Sequence, residues 1–550
     1  MEEKKKGNFL MQGAILGISS IVVRLIGLIY RVPLNNILGE KGVAYYGVAF
    51  EVYSILLLLS SYSMPLAISK MVSKSVTLKE YKNIRKILIH ALIFAFICGL
   101  IAFLITFFGA DLFAKILNYP QSAIALKVLS PALIILSILG VLRGYFQGLG
   151  TMVPTAISNI IEQIINAVVS IVAASAFFKS VTDATIAQYP FSNVREAYGA
   201  AGSTLGTVCG AGAALIFIIC IFILNRKRTN KLIRRDKTAY EDSTKDIIKV
   251  IILTIIPVIL STTIYNIGTV IDSGLFSNIM NAKGMDHDQI DTLAGMFSGN
   301  YRLIIQVPIA LASALASSLI PSVVKSMTQK NKGTVIRKVE SAIKVMMMVA
   351  MPCAAGICAL AKPIVNFLFP TSVDPDKVAL MLMCGCVNVI FYSLSTITNS
   401  ILQGIDKMRI PVRHCAISMC VHIATLVGML YLFDLNIFAL IIGDIIFSLL
   451  ICILNALSLK KYLGFKQEFV KTFILPGICS LMMGVVAMLL NIGFYSLFHS
   501  YAVSVLLTIV FSAIVYAFLL LIFKVVSIEE LYMVPGGTKI IKVAKKLHLM

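Results

Sequence analysis

Three arginines stand inside long apolar runs: Arg24, Arg31 and Arg302. A charge at the centre of a bilayer costs about 3 kcal/mol on insertion scales, so each one asks for a reason. Arg24 and Arg31 lie about two helical turns apart and share a face, with Asn35 near it. Pro33 is expected to kink the helix there. Two guanidinium groups on one stripe suit an anion such as a diphosphate, which accepts forked hydrogen bonds. The competing explanations are snorkelling to a headgroup and pairing within the bundle. Arg302 shares a face with Gln306, one turn on. It is read as a cavity residue, with an ion pair to an acidic neighbour as the alternative.

Other polar residues in apolar settings extend the set. Glu51 is a candidate cavity residue, or a partner for Arg31 or Arg302. Asn159, Glu162, Gln163 and Asn166 recur at three- and four-residue steps, which makes a polar stripe on one helix. Such a stripe faces a wet cavity or glues two helices together. Asp272 and Asp444 suit a coupling cation or an arginine. His414 and His422 lack metal-ligand neighbours and are expected to be packing or cavity residues. Asp286, His287, Asp288 and Asp291 cluster between apolar runs; a solvated outer loop explains them better than an enzyme site does.

The elements that must position these residues follow from composition. The chain has 550 residues, 58% hydrophobic and 13% charged. A soluble chain is nearer a quarter charged. Apolar runs of about 20 residues or more recur along the whole length, so the fold class is an all-α polytopic membrane protein. Fourteen spans are expected, the first at about 10–38 and 43–73, the seventh and eighth at about 246–280 and 296–326. The first run, which contains Arg24, is read as a retained span rather than a signal peptide.

A net charge of +22 raises nucleic-acid binding, but the positions of the charges exclude it. With both termini assigned to the cytoplasm, inner segments hold 37 of the 48 lysines and arginines, Arg143 among them, and outer segments hold 8. That asymmetry is what orientation in a bilayer requires. The 11 cysteines border apolar runs and read as packing residues. No phosphate-cradling loop, zinc-protease or serine-elbow motif appears, so neither an enzyme nor a cofactor is expected. Transport would be driven by a monovalent cation, by membrane potential or by the substrate gradient.

An internal repeat organises the spans. Gln147-Gly148 is followed by Pro154, and Gln403-Gly404 by Pro411. Six spans lie between the matched points, so the repeats share one orientation, which is a transporter plan. The expected division is an N-lobe at 1–224, a basic cytoplasmic linker at 225–245, a C-lobe at 246–460, two extra spans within 461–526, and a basic tail at 527–550.

The stretch Ser19 to Gly27 with Arg24, then Arg31, then Leu38-Gly39-Glu40-Lys41-Gly42 and Tyr46 to Phe50, resembles the opening of the MurJ and stage V sporulation protein B group. That group belongs to the multidrug/oligosaccharidyl-lipid/polysaccharide exporter superfamily. Tyr301-Arg302-Leu303 with Pro308 is similar to its eighth helix. The resemblance implies a flippase that carries a polyprenyl-diphosphate-linked glycan precursor, typically lipid II, to the outer leaflet of the bacterial cell membrane. It implies that Arg24, Arg31 and Arg302 meet the diphosphate between two lobes, and that the last two helices guide the lipid tail. The second-helix arginine of Gram-negative members is missing here: residues 51–61 contain none. Teichoic-acid or capsule units are alternative cargo. An organic-cation exporter and a non-transporting scaffold for envelope assembly are alternative functions. Membrane lipids, cell-wall synthesis proteins and a monomeric state complete the expectations.

Overall fold

The computed structural model of the protein describes residues 2–62, 64–189, 193–236, 242–328 and 332–526. The expected tail at 527–550 and residues 237–241 of the expected linker lie outside the described residues. Secondary structure among the described residues is helical throughout. Hydrocarbon demands this, because without water each backbone N–H must find a carbonyl within its own segment.

The chain forms two compact units, Met1–Gly299 and Asn300–Met550. The first contains α1 (Glu2–Leu57), α2 (Met64–Thr77), α3 (Tyr81–Ile116), α4 (Ser122–Leu129), α5 (Ala132–Gly148), α6 (Val153–Ser180), α7 (Asp183–Ile186), α8 (Val194–Arg235), α9 (Thr244–Ala282) and α10 (His287–Gly295). The second contains α11 (Arg302–Thr328), α12 (Lys332–Ala359), α13 (Ala361–Leu368), α14 (Pro375–Gly404), α15 (Arg409–Leu432), α16 (Phe438–Leu463), α17 (Leu475–Phe498) and α18 (Tyr501–Ile522).

Among the described residues, 11 helical stretches are long and apolar enough to cross a membrane. One of them, Ser19–Thr77, takes in both of the first two expected spans. No loop joins those two spans. The helix α1 breaks at Gly39, whose φ of 65° and ψ of 173° fall in a region essentially reserved for glycine. The helices α9 and α11 cover the expected seventh and eighth spans. Large apolar side chains face outward, among them Phe108 and Leu112 on α3, Leu481 and Leu489 on α17, and Leu506 and Ile514 on α18. Water would not tolerate such a surface, but acyl chains do. The protein is a multi-pass membrane protein.

Inside the first unit, small residues let helices approach closely, as expected where lipid supplies no hydrophobic drive between helices. A Cβ at Gly202 would lie 2.3 Å from the Ala173 carbonyl oxygen, one at Gly206 2.1 Å from Ser170 Oγ, and one at Gly210 2.5 Å from the Glu162 carbonyl oxygen. These glycines recur every four residues along α8 and seat it on α6. Ser170 Oγ, which donates to the Ser203 carbonyl at 2.8 Å, pins the contact.

The two halves of the sequence repeat end their helices in the same way. After α5, Gly150 takes φ of 82° and the Thr151 N–H reaches back to the Phe146 carbonyl at 3.1 Å. After α14, Asp406 takes φ of 62° and the Lys407 N–H reaches the Leu402 carbonyl at 2.9 Å. Both are left-handed helix stops of the Schellman type. Glycine fits that conformation without a Cβ clash, and other residues lose about 1–2 kcal/mol there. Gly150→Val is therefore expected to lower thermal stability by about that amount, while Asp406→Gly leaves it unchanged or raises it. Melting curves of the two purified variants check this.

Candidate functional site

On α1 the exposed side chains fall into two arcs. Ile21, Leu25 and Ile29 form an apolar arc. Arg24, also exposed, lies about 60–140° away from them by helical geometry, on an edge with Ser20, Arg31 and Asn35. Arg24 and Arg31 thus share one edge, which borders the apolar arc at Ile21. Arg31 lies against the hydroxyls of Tyr30 and Tyr46. Tyr46 is beyond the break at Gly39, so this arginine ties the two halves of α1 together. Asn35 Nδ2 donates to the Gly299 carbonyl at 2.9 Å.

The polar stripe of α6 runs beside that edge. A Cβ at Gly27 would lie 3.1 Å from Gln163 Nε2. Asn166 Nδ2 is 3.5 Å from the Tyr30 hydroxyl, at the limit of a hydrogen bond. Asn159, one turn earlier, is half-buried. Glu162 accepts a hydrogen bond and ion pair from Arg143 Nη2 at 2.8 Å, and Arg143 Nε donates to Ser158 Oγ at 2.9 Å. Arg143, expected among the inner-segment charges, projects from within α5 and is mostly buried. The missed signal was its position five residues before the helix stop, facing a stripe that contains a carboxylate.

Glu51 Oε2 accepts from Ser273 Oγ at 2.9 Å, so its shown partner is on α9, next to the buried Asp272. In the second unit, Arg302 follows the π-helical stretch Met296–Tyr301. Its Nη2 lies 3.8 Å from Asp444 Oδ2, with side-chain exposures of 19% and 11%. The structure therefore brings together an expected diphosphate ligand and an expected cation ligand as a long ion pair. Gln306, a turn further, is exposed. Below Asp444 on α16, Ser448 Oγ donates to Asn388 Oδ1 at 2.9 Å. His414 Nδ1 and Asn455 Oδ1 are 2.8 Å apart, and Asn455 Nδ2 donates to Asn399 Oδ1 at 2.8 Å. His422 packs its ring against Gly443 and Phe447. Both histidines are buried, and the expectation that His422 lacks a metal-ligand neighbour is corrected: its ring nitrogen and an Asp444 carboxylate oxygen lie within 4.8 Å, because α15 and α16 turn these faces toward each other.

The expected solvated outer loop is corrected. His287–Gly295 is a helix, and Asp291, 2% exposed, is buried on its inner face with Ile290 and Leu293. The Tyr45 hydroxyl donates to Asp291 Oδ2 at 2.5 Å. Around them Lys41 pairs with Asp288 at 2.8 Å, and Asn193 Nδ2 donates to Asp288 Oδ1 at 2.6 Å. Gly295 lets the helix press on the Glu40 backbone. A three- and four-residue burial pattern, rather than charge count, sets which acid turns inward.

Burial pushes the Asp291 carboxyl up to about 7; the Tyr45 hydrogen bond opposes this, Asp288 adds to it, Lys41 opposes it and Asp286 adds to it. The group is thus neutral in the fold only below that value. Its stabilising contribution is complete below its ordinary value of 3.8 and is lost as pH rises through about 7. Amide protection across residues 287–295, corrected for intrinsic exchange, is expected to fall over that window. In Asp291→Asn, which cannot ionise, the fall should vanish.

The family described as "Polysaccharide biosynthesis protein" matches residues 9–329, and a second family of the same description matches residues 288–375. The lipid II flippase MurJ of Bacillus subtilis (strain 168) is 24% identical over 522 residues, 91% of this chain and 92% of that protein. Stage V sporulation protein B of the same organism is 22% identical over 539 residues, 96% of this chain and 98% of that protein. Among solved structures, a lipid II flippase MurJ in an inward closed conformation aligns with a TM-score of 0.66 and 15% identity, covering 93% of this chain and 98% of its own. An inward-facing multidrug resistance MATE family transporter aligns with a TM-score of 0.65 and 17% identity, covering 80% and 96%. The MurJ proteins are described as flippases and the MATE protein as a transporter.

Proposed function

Because the chain belongs to the polysaccharide biosynthesis protein family, we propose that it is a flippase carrying a polyprenyl-diphosphate-linked glycan precursor from the inner to the outer leaflet of the bacterial cell membrane. Lipid II is the proposed cargo. The observation that carries this reading is the shared edge of Arg24 and Arg31 within a membrane span, beside its apolar arc and not on it. A diphosphate is the ligand that two forked cations recognise best. Arg302 is the proposed contribution of the second unit, and Glu51, Asn159, Gln163, Asn166 and Gln306 the polar groups that solvate a sugar head.

In this proposal two lobes, 1–224 and 246–460, expose the head alternately to each side. The repeat behind that division is supported by the matched helix stops at Gly150 and Asp406. Both termini are cytoplasmic, on the strength of the charge asymmetry. Coupling to a monovalent cation or to membrane potential runs through Asp272 and Asp444, and no cofactor takes part.

The test is depletion in the native cell. Lipid II accumulating on the inner leaflet supports the full reading. Accumulation of a teichoic-acid or capsule intermediate instead keeps the flippase and replaces the cargo. If no lipid-linked intermediate accumulates and resistance to organic cations falls, the chain is an exporter. A scaffold would tolerate loss of the arginines altogether.

A further inference from the structure

Arg143 has no place in the reading above, and its surroundings single it out. Its guanidinium uses Nε on Ser158 and one Nη2 N–H on Glu162. Among the described residues no acceptor meets the other three of its five N–H groups. No Arg143 nitrogen is among the buried atoms that lack a partner, so the spare donors open to the surroundings, where a further acceptor can reach them.

Its depth can be read from the packing of α1 on α6. Gly27 abuts Gln163 and Tyr30 meets Asn166, so residues of α1 lie level with residues 136 further on, in parallel register. Arg24 is then level with residue 160. Arg143 is bonded to residues 158 and 162, which bracket that level. The two arginines therefore stand at one depth. Glu162 also lies within electrostatic reach of the Tyr53 phenol on α1.

We propose that Arg143 is a further anion-binding residue at the depth of Arg24, and that Glu162 is a positioning residue that occupies it until a diphosphate displaces the carboxylate. This rests on the flippase reading and adds a specificity element to it. A carboxylate on the guanidinium fork competes with any incoming anion. A diphosphate carries more negative charge and more acceptor oxygens than a monoanionic lipid headgroup, so it competes with Glu162 for the guanidinium where the headgroup gains little. The carboxylate thereby filters the phospholipids that surround the protein in excess.

The experiment is a binding cycle on the full-length protein, with inorganic diphosphate as the probe and calorimetry as the readout. Glu162→Gln is expected to tighten diphosphate binding about threefold or more, and Arg143→Gln to weaken it about fivefold or more. With Arg143→Gln already in place, Glu162→Gln should change nothing further, and Arg143→Lys should fall between wild type and Arg143→Gln. A purely structural strut gives another pattern: both single variants melt earlier, the double variant recovers, and affinity never moves. That pattern overturns the inference. Arg24→Gln separates the two readings. If it weakens binding while the Arg143 and Glu162 variants do not, the flippase reading stands and this inference falls. If wild type and every variant fail to bind diphosphate, both fall.

Discussion

With alanine at position 24, a cell that depends on this protein stops growing, although the protein still reaches the membrane in its usual amount. The expected loss follows from what the side chain supplies. A forked, charge-assisted pair of hydrogen bonds to a diphosphate is worth about 3 kcal/mol, roughly a hundredfold in rate. Arg24 is exposed on the polar edge of α1, so its removal leaves no buried cavity. Lysine at the same site retains the charge without the fork and should rescue growth in part. Arg302→Ala is expected to be as severe, for a mixed reason. It also strips Asp444 of its cation, and breaking a buried pair is itself destabilising. Arg302→Ala combined with Asp444→Asn removes that penalty, so growth defects that persist in the double variant belong to transport. Complementation beside a membrane blot checks both, and full growth by Arg24→Ala and the double variant rejects the arginine assignment.

The second large effect is on the fold. Gly206→Leu should remove the protein from the membrane, with a destabilisation of about 3 kcal/mol or more. The space for a side chain does not exist, since a Cβ there would already meet Ser170 Oγ at 2.1 Å and the Asn166 carbonyl oxygen at 2.7 Å. Neither neighbour can retreat without moving α6, which holds Glu162, Gln163 and Asn166. Gly212→Leu is the matched control, because nothing lies within 4 Å of a Cβ at that position. Quantified membrane levels and melting of the two variants test the contrast. Equal loss in both would mean that helix propensity, not close approach, is what these glycines serve.

Much of this arrangement was legible before any coordinates. Charge asymmetry and apolar run length are properties of single segments, and they suffice for an all-α membrane fold. The shared edge of Arg24 and Arg31 follows from a fixed helical pitch. The Gln-Gly-to-Pro repeat was visible, and it corresponds to matched helix stops. Partners were harder to read. Arg143 and Glu162 lie 19 residues apart across a helix stop, and nothing in local spacing says that they face each other. Asp291 belongs to a run of charges that reads as solvated, and only burial against Tyr45 separates it from Asp286 and Asp288. The glycines of α8 were present at the four-residue spacing of close helix pairs, a signal available in the sequence but masked by the apolar residues between them. The pairing of Arg302 with Asp444 was foreseeable only as one option among several, because it depends on which faces of α11 and α16 meet.

The break at Gly39 has a mechanical consequence. One residue joins the two halves of α1, and Arg31 grips Tyr46 across the corner. Such a joint behaves as a crank: twist applied to the inner half is delivered to the outer half instead of being absorbed by slack chain. Arg24 cannot swing to a new azimuth unless Tyr46 and the aromatic ring of Phe50 stacked on it travel too. A peptide tag spliced in at this corner would add the missing play and uncouple the two halves, even if every arginine stayed in place.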